Sequence, residues 1–275
     1  MIQKRFNNRL KREKEILTET DLRRKPRTLK LMSYNIHSGI GRDKRYRLDR
    51  TLSVLEAEKP DILALQEVDR NLSRSNFDDQ SQIIAKTLGM HYHHCVNQNI
   101  DDGEYGITTF SRFPILNRER HDLSVRSRIF GPRGTLRTDL QLDEATRLHV
   151  FNVHLGLRVR ERYHQRRRLL SESILLDDAL QDPLIVLGDF NDRPISVVHP
   201  KFREYFEDVS RINGRRTPAT FTWGPLRFRL DYIYTSAQFT PLEAYVLKTP
   251  LTRSASDHLP MVARVEMVDG LMGGC

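Results

Sequence analysis

The sequence predicts an α/β fold in which two β-sheets pack face to face with helices outside. Short apolar runs, typical of buried strands, recur along the chain between segments with the apolar spacing of a helix. Alternation of strands and helices would also fit a doubly wound sheet. The segments 135–142 and 148–154, however, alternate in polarity and resemble the two arms of a hairpin, which favours mixed or antiparallel sheets.

The individual elements follow from periodicity and from breakers. Helices are predicted at 46–58, 80–88 and 161–180, and Gly89 ends the second because glycine enters the left-handed conformation at little cost. Pro114 separates two strands because it has no backbone N–H to donate. Strands are predicted at 28–35, 61–66, 107–110, 115–123, 135–142, 148–154, 184–187, 230–234, 242–247 and 261–266.

The positive charge is concentrated at the N-terminus. Residues 1–30 contain eleven Lys or Arg and four Asp or Glu, a net +7 that leaves only +2 of the total +9 for the rest. We therefore predict a flexible basic arm at 1–27, followed by a folded domain at 28–267 and a tail at 268–275. Charge alone does not make the domain a nucleic-acid binder, whereas the arm could contact an anionic membrane surface.

The sequence contains no segment that resembles a membrane span or a secretory signal. No stretch approaches the roughly 20 apolar residues that a transmembrane helix needs, and the first 30 residues lack an apolar core. The two cysteines, Cys95 and Cys275, suggest no disulfide framework. We expect a cytoplasmic protein.

Polar residues follow several of the predicted strands. Asn35, Glu67, His154 and Asp189 each come directly after an apolar run, and Asn191 follows two residues later. In layered α/β proteins, binding sites are built at strand ends and in the loops after them. Each residue alone has an ordinary structural explanation, but five such positions together are difficult to attribute to core packing.

Six segments carry a family resemblance. In chain order they are Ser-Tyr-Asn-Ile-His (33–37), Leu-Gln-Glu-Val-Asp (65–69), Phe-Asn-Val-His-Leu-Gly (151–156), Gly-Asp-Phe-Asn-Asp (188–192), Arg-Leu-Asp-Tyr-Ile-Tyr (229–234) and Ser-Asp-His-Leu-Pro (256–260). They resemble the signature blocks of the endonuclease/exonuclease/phosphatase superfamily, which has the fold of deoxyribonuclease I. The resemblance covers about residues 28–267 and implies a four-layered α/β sandwich with two mixed sheets.

The resemblance also implies a metal-dependent hydrolase that acts on phosphoric esters. Glu67 is the first candidate metal ligand because Mg²⁺ prefers carboxylate oxygen. The resemblance adds Asn35 and Asp257 near the same ion, which we expect to be Mg²⁺, with Mn²⁺ as the alternative. A metal on the phosphate would stabilise the charge that develops in the transition state.

The same resemblance assigns the catalytic candidates. His258 with Asp231 would form a base and its orienting carboxylate, because such a pair fixes the histidine tautomer. Asp189 and Asn191 would position the attacking water and the phosphate oxygens. His154 would donate a hydrogen bond to the phosphate or protonate the leaving oxygen, so which histidine is the acid stays open.

Among many arginines, Arg137 is the preferred phosphate-binding candidate because it lies within a predicted strand.

The substrate is less well specified than the reaction. The segment from Gly214 to Thr222, with Trp223 after it, resembles small bacterial members grouped with phospholipid enzymes. Together with the nearly neutral domain, this favours a small or lipid-derived phosphodiester. A DNA or RNA nuclease of the same superfamily is the alternative. A non-catalytic binding scaffold is the third reading and is disfavoured because none of the metal-binding and base candidates is missing.

Overall fold

The computed structural model describes residues 27–125, 131–214 and 218–267. The predicted arm, apart from Arg27, and the predicted tail lie outside the described residues. The strands are β1 (Arg27–Asn35), β2 (Ile62–Arg70), β3 (His91–Ile100), β4 (Gly103–Ser111), β5 (Ile115–Asp122), β6 (Gly134–Gln141), β7 (Arg147–His154), β8 (Leu184–Asp189), β9 (Glu207–Asp208), β10 (Phe221–Trp223), β11 (Leu226–Phe228), β12 (Asp231–Thr235), β13 (Phe239–Val246) and β14 (Met261–Met267). The helices are α1 (Leu48–Glu58), α2 (Gln80–Leu88), α3 (Val159–Leu169), α4 (His199–Phe202) and α5 (Pro250–Ala255).

Two six-stranded mixed sheets form the centre of the fold. The first has the order β13-β14-β1-β2-β4-β3 and the second β5-β6-β7-β8-β12-β9, while β10 and β11 form a separate hairpin. Each sheet has a parallel pair at its middle, β1 with β2 and β7 with β8, and its other neighbours are antiparallel. The prediction of two mixed sheets is confirmed.

The buried side chains form clusters that show a fold of four layers. Side chains such as Leu31, Ile62, Val150, Leu187 and Ile233 pack together between the two sheets. The outer face of the first sheet is covered by α1 and α2, whose apolar residues pack on β1 and β2. The outer face of the second sheet packs against the end of α3 and the segments that follow it. Burial of these faces is the main favourable contribution to folding.

The strand registers bring one end of both sheets to the same place. Within the parallel pairs, Asn35 aligns with Gln66 and His154 aligns with Asp189. The antiparallel strand β12 starts at that end, where Asp231 pairs with Asp189. Residues far apart in sequence therefore meet at one end of the sandwich, because the carboxyl ends of parallel strands point the same way.

One predicted element is wrong in length. The helix expected at 161–180 ends at Leu169, and turns follow it. Ser171 lies at this point, where its hydroxyl donates to the carbonyl of Arg168 at 2.7 Å. Serine side chains that bond the local backbone compete with helix continuation. The apolar residues Ile174 and Leu175 still reach the core, but from turns rather than from a fourth helical turn.

Arg137 does not lie at the strand ends where the other candidates meet. Its neighbour Leu136 faces the space between the sheets, so strand alternation turns Arg137 to the outer face. There its guanidinium donates to both carboxylate oxygens of Asp139, at 2.8 and 3.0 Å. His149 Nδ1 lies 2.7 Å from the same carboxylate. The structure thus corrects the phosphate-binding expectation and places Arg137 in an ion pair.

A buried amide bridge connects the two sheets. Asn152 on β7 donates to the carbonyls of Leu65 and Thr108 in the first sheet, at 3.2 and 3.0 Å. Its oxygen accepts a hydrogen bond from Gln66 Nε2 at 2.9 Å. Apolar side chains of both sheets pack nearby, and this set of hydrogen bonds helps to fix how the sheets face each other just below the site.

Replacing this bridge should destabilise the fold. In Asn152→Ala, two carbonyls and the Gln66 amide each lose a hydrogen bond, which should lower the free energy of unfolding by about 3 kcal/mol. Urea denaturation measures the loss. Asn117→Ala, at an exposed asparagine that donates to Asp139, is the matched control and should cost about 1 kcal/mol or less. Equal losses in the two variants would contradict the bridge.

Arg137→Met should lower stability without affecting turnover. Loss of the charged hydrogen bonds to Asp139 should reduce the free energy of unfolding by about 2 kcal/mol, measured by urea denaturation. KM for any phosphate ester should be unchanged. Arg118→Met, at an exposed position on the neighbouring strand β5, is the control. A raised KM with unchanged stability would restore the phosphate-binding role.

The same ion pair has a pH signature. Burial raises the pKa of Asp139, but hydrogen bonds from His149 and Arg137 outweigh it and hold the pKa at about 2. Because the folded pKa lies below the roughly 4 of an unfolded aspartate, this stabilisation is present above that pH. It should be lost as the pH falls towards 2. In Arg137→Met the folded pKa of Asp139 should rise towards the unfolded value, so less stability should be lost between about pH 4 and pH 2 in urea denaturation.

Candidate active site

Asn35 joins the two sheets at the end of the sandwich. Its side-chain nitrogen donates to Glu67 Oε1 at 2.9 Å and to Asp189 Oδ2 at 3.0 Å. Its oxygen accepts from the backbone N–H of His37 at 3.0 Å, so the amide nitrogen rather than the oxygen faces the carboxylates. In this arrangement Asn35 positions two candidate residues, and its oxygen accepts a hydrogen bond from the backbone of the following turn.

Glu67 reaches the site through a β-bulge. It lies inside β2, not after it, where the pairing with β4 shifts register between Gln66 and Val68. Its φ is +57°, in the left-handed region that few non-glycine residues adopt. Gln66 faces the inter-sheet space, so simple alternation would turn Glu67 to the outer face. The bulge instead aims its carboxylate at Asn35, as bulges near active sites commonly do.

His258 and Asp231 form the predicted pair. His258 Nδ1 lies 2.9 Å from Asp231 Oδ2, and both residues are buried. The Ser256 hydroxyl accepts from the His258 backbone N–H at 3.1 Å and donates to the carbonyl of Asn35 at 2.8 Å. The Phe221 ring packs 4.8 Å from the imidazole, centroid to centroid. These contacts fix the ring and leave Nε2 directed at Asp189.

Asp189 lies between the two histidines. Its Oδ2 is 3.8 Å from His154 Nε2 and 3.7 Å from His258 Nε2, while its Oδ1 accepts from the backbone N–H of Asn191 at 2.8 Å. His154 Nε2 is also 4.0 Å from Glu67 Oε1. The structure therefore collects Asn35, Glu67, His154, Asp189, Asp231 and His258 in one place.

Burial and charge separate the two histidines. Burial lowers the pKa of His258, but the carboxylates of Asp231 and Asp189 outweigh it and raise the pKa to about 10. Burial, with Arg133 and His258 adding to it, lowers the pKa of His154 well below its usual value. Burial raises the pKa of Asp189 to about 7, although the charge of His258 opposes this. One histidine is thus cationic and the other neutral.

Asn191 and Asp257 lie at the margin of this group. The Asn191 side chain donates to the carbonyl of Leu155 at 2.9 Å and holds the loops after β7 and β8 together. Its own φ of +48° lies in the left-handed region that few non-glycine residues adopt. Asp257 is half-buried, directly before His258, and its Oδ1 lies 3.4 Å from the Ser256 hydroxyl.

A cleft of about 340 Å³ opens beside Glu67 on the side of the first sheet. Tyr105, Arg74 and Arg133 line it together with His37, and none of these was singled out from the sequence as a site residue. The Arg74 guanidinium lies over the Tyr105 ring at 5.3 Å and is paired with Asp69. In the sequence, Arg74 and Tyr105 are only a basic and an aromatic residue in a loop and a strand. Such residues are too common to indicate a site.

The donor set fits a hard divalent cation. One ligand atom each from Asp189, Asp231 and His258 lie within 4.8 Å of one another. Among the residues that the structure describes, Asp231 Oδ1 is buried without a hydrogen-bond partner. Glu67 adds a carboxylate that borders the open cleft. Carboxylate oxygens are the ligands that Mg²⁺ and Mn²⁺ prefer.

The chain is similar in sequence to other proteins over most of its length. The Endonuclease/Exonuclease/phosphatase family matches residues 32–258. The uncharacterized protein YbhP of Escherichia coli (strain K12) is 31% identical over 256 residues, which is 87% of this chain and 97% of YbhP. Nocturnin of Xenopus laevis is 28% identical over 306 residues, which is 92% of this chain and 76% of Nocturnin.

Solved structures share the fold. The human Nocturnin catalytic domain, solved with a bound sulfate anion, has a TM-score of 0.71 at 24% identity and covers 90% of this chain and 98% of its own. ANGEL2, described as a 2′,3′-cyclic phosphatase and solved with adenosine-2′,3′-vanadate, has a TM-score of 0.69 at 17% identity and covers 88% and 96%. The chain therefore belongs to the Endonuclease/Exonuclease/phosphatase family, whose members act on phosphate esters.

Proposed function

We propose that this protein is a metal-dependent phosphoesterase that hydrolyses a small or lipid-derived phosphodiester by attack of water. The observation that carries the proposal is the placement of Asp189 between two histidine nitrogens, at 3.7 and 3.8 Å, with Glu67 bonded to the same Asn35 amide. The site contains two carboxylates, one cationic imidazole and one neutral imidazole. Such groups can accept and donate protons and stabilise negative charge, as phosphate-ester hydrolysis requires.

Glu67 and Asp257 are the proposed metal ligands, whereas the clustered donor atoms of Asp189, Asp231 and His258 are assigned to proton transfer and hydrogen bonding. The amide orientation of Asn35 makes it the residue that holds Glu67 in place rather than a third ligand. When bound, a divalent cation would polarise the phosphoryl group and offset the charge that builds up on its oxygens. Mg²⁺ is the proposed ion and Mn²⁺ a substitute for it, because both take oxygen ligands.

The proton roles follow from geometry and charge. Asp189 is within 4 Å of both Nε2 atoms and is held by the Asn191 backbone N–H, so it is the proposed acceptor of the proton of the attacking water. His258, oriented by Asp231, is cationic and is the proposed hydrogen-bond donor to a phosphate oxygen. This assigns His258 a role other than the base expected from the sequence. His154 completes the set beside the leaving oxygen.

The surroundings of the site support a diester. A diester phosphate carries a substituent on each side, and the two sheets offer different surfaces there. On the side of the first sheet lies the cleft of about 340 Å³ beside Glu67. On the side of the second sheet lie the loops after β7 and β8 and the β10–β11 hairpin, which contacts His258 through Phe221. A small ligand fits a cleft of this volume.

A nuclease of the same family is the alternative. ANGEL2 was solved with an adenosine-derived vanadate, so a nucleotide can occupy this fold. Outside residues 1–30, however, this chain carries a net charge of only +2. Because nonspecific binding of nucleic acids depends mainly on contacts with phosphates, a strand-cleaving role is the weaker proposal.

Glu67→Gln should abolish turnover of bis(4-nitrophenyl) phosphate. The change removes a carboxylate charge from the proposed metal site while it keeps the side-chain shape, so kcat/KM should fall by about 10³-fold or more. Absorbance of released nitrophenol, with Mg²⁺ and then with chelator, measures the effect. Glu243→Gln, at an exposed glutamate on β13, is the matched control and should be silent. Turnover that persists in chelator would reject the metal dependence.

A substrate panel should separate the proposal from the nuclease alternative. With Mg²⁺ present, soluble and lipid phosphodiesters should be hydrolysed, whereas supercoiled plasmid and abasic duplex DNA should be poor substrates. Gel mobility reports on cleavage of the plasmid, and release of the alcohol and phosphomonoester products, followed by chromatography, reports on hydrolysis of the diesters. Efficient nicking of the plasmid at low enzyme concentration would overturn the proposed substrate class. It would not contradict the proposed site residues.

A further inference from the structure

Five apolar side chains are unusually exposed next to the candidate site. The exposed fractions are 87% for Ile195, 72% for Leu157, 71% for Trp223, 54% for Val159 and 49% for Leu226. We call these five residues the apolar rim. Single exposed apolar residues are common, but a group of them on one part of a surface indicates an interaction site.

Three contacting segments carry the apolar rim. They are the loop after β7 with the first residues of α3, the loop after β8 and the β10–β11 hairpin. The Asn191 side chain bonds the Leu155 carbonyl at 2.9 Å and joins the first two segments. The Arg193 guanidinium lies 5.9 Å from the centre of the Phe228 ring and joins the second to the third. The rim residues therefore lie on three segments that contact one another.

This surface borders the groups proposed to act on phosphate. The two loops start at His154 and Asp189, the last residues of β7 and β8. The hairpin contacts His258 through the Phe221 ring at 4.8 Å. A body that rests on the apolar rim would therefore lie directly beside the proposed site.

The charge around the apolar rim has one sign. Arg160, Arg193 and Arg227 are exposed on the same three segments. Within 155–160, 191–197 and 221–228, the one carboxylate is Asp192, which is buried and paired with Arg162 at 3.1 Å. The rim thus presents apolar side chains together with positive charge and no exposed negative charge.

We propose that the apolar rim docks the protein on an anionic phospholipid surface and so presents a lipid phosphodiester to the site. The substrate part of this inference rests on the proposed function. Aliphatic side chains gain free energy in the acyl region, tryptophan favours the membrane interface, and arginine pairs with anionic headgroups. The described residues contain no helix long and apolar enough to cross a membrane, and docking of this kind needs none.

Other occupants fit the same features less well. Single-stranded nucleic acid is held by aromatic stacking, but four of the five rim residues are aliphatic and offer no ring face. The chain's own first 26 residues contain nine Lys or Arg and four Asp or Glu, so they carry the same sign of charge as the rim. In a dimer formed through this surface, the positive charge of one rim would face the positive charge of the other.

Trp223 is the one tryptophan of the chain and so reports on docking directly. Addition of vesicles with equal phosphatidylcholine and phosphatidylglycerol to the full chain should shift its emission to the blue. Pure phosphatidylcholine vesicles should give little shift. An absent shift with anionic vesicles would overturn the proposal. So would a shift produced by an RNA homopolymer instead, or by raising the protein concentration without lipid.

A double variant tests the apolar contribution while it keeps the reporter. Ile195→Ser with Leu226→Ser should weaken vesicle affinity by about a hundredfold, about tenfold for each side chain. Leu116→Ser with Leu242→Ser is the matched control, because these exposed leucines lie on the edge strands β5 and β13 away from the site. Both double variants should hydrolyse bis(4-nitrophenyl) phosphate as the parent does. Equal vesicle affinity in the two would overturn the role of the rim.

Docking and catalysis can fail separately. Glu67→Gln should bind anionic vesicles as tightly as the parent although its turnover is lost. Docking without any phosphoesterase activity in the parent would sink the proposed function alone. Turnover of the soluble diester without vesicle binding would sink the docking proposal alone.

Discussion

The hydrogen bonds that Asn35 donates to Glu67 and Asp189 are the interaction on which the site depends. One carboxylate belongs to the first sheet and the other to the second, so the amide fixes their separation across the sandwich. The amide bridge of Asn152, two residues before His154 on β7, sets the facing of the sheets below this point. Together they turn two independently twisted sheets into one rigid frame for charged groups, and such rigidity is what electrostatic preorganisation requires.

Buried charge is tolerated at this point because it is shared. Asp231 and Asp189 lie on either side of His258, so the cationic ring balances part of the negative charge. His154 is neutral, so the site does not hold a second cationic imidazole close to the charges of His258 and Arg133. A buried carboxylate without such partners would be strongly unfavourable. The same groups that make the site costly to fold make it suited to bind and activate a phosphate ester, a trade commonly found at functional sites.

Much of the fold and part of the site could be predicted from the sequence. Apolar periodicity indicated most of the strands, and strand-end positions drew attention to Asn35, His154 and Asp189. Three features could not be predicted from the sequence, for physical reasons. Strand alternation turns Arg137 away from the site, which the lack of a known register concealed. A bulge turns Glu67 towards the site. Tyr105 and Arg74 meet only because β4 and the loop after β2 converge on one cleft.

The sequence by itself determined the family, the residue types available for chemistry and the concentration of basic residues within the first 30 positions. These depend on order and composition along the chain. Only the tertiary structure decided which groups share charge, that the Asn35 nitrogen donates to both Glu67 and Asp189, and that exposed apolar residues lie on three contacting segments beside the site. Such features arise from register, bulges and contacts between distant segments, and a linear pattern does not encode these distances.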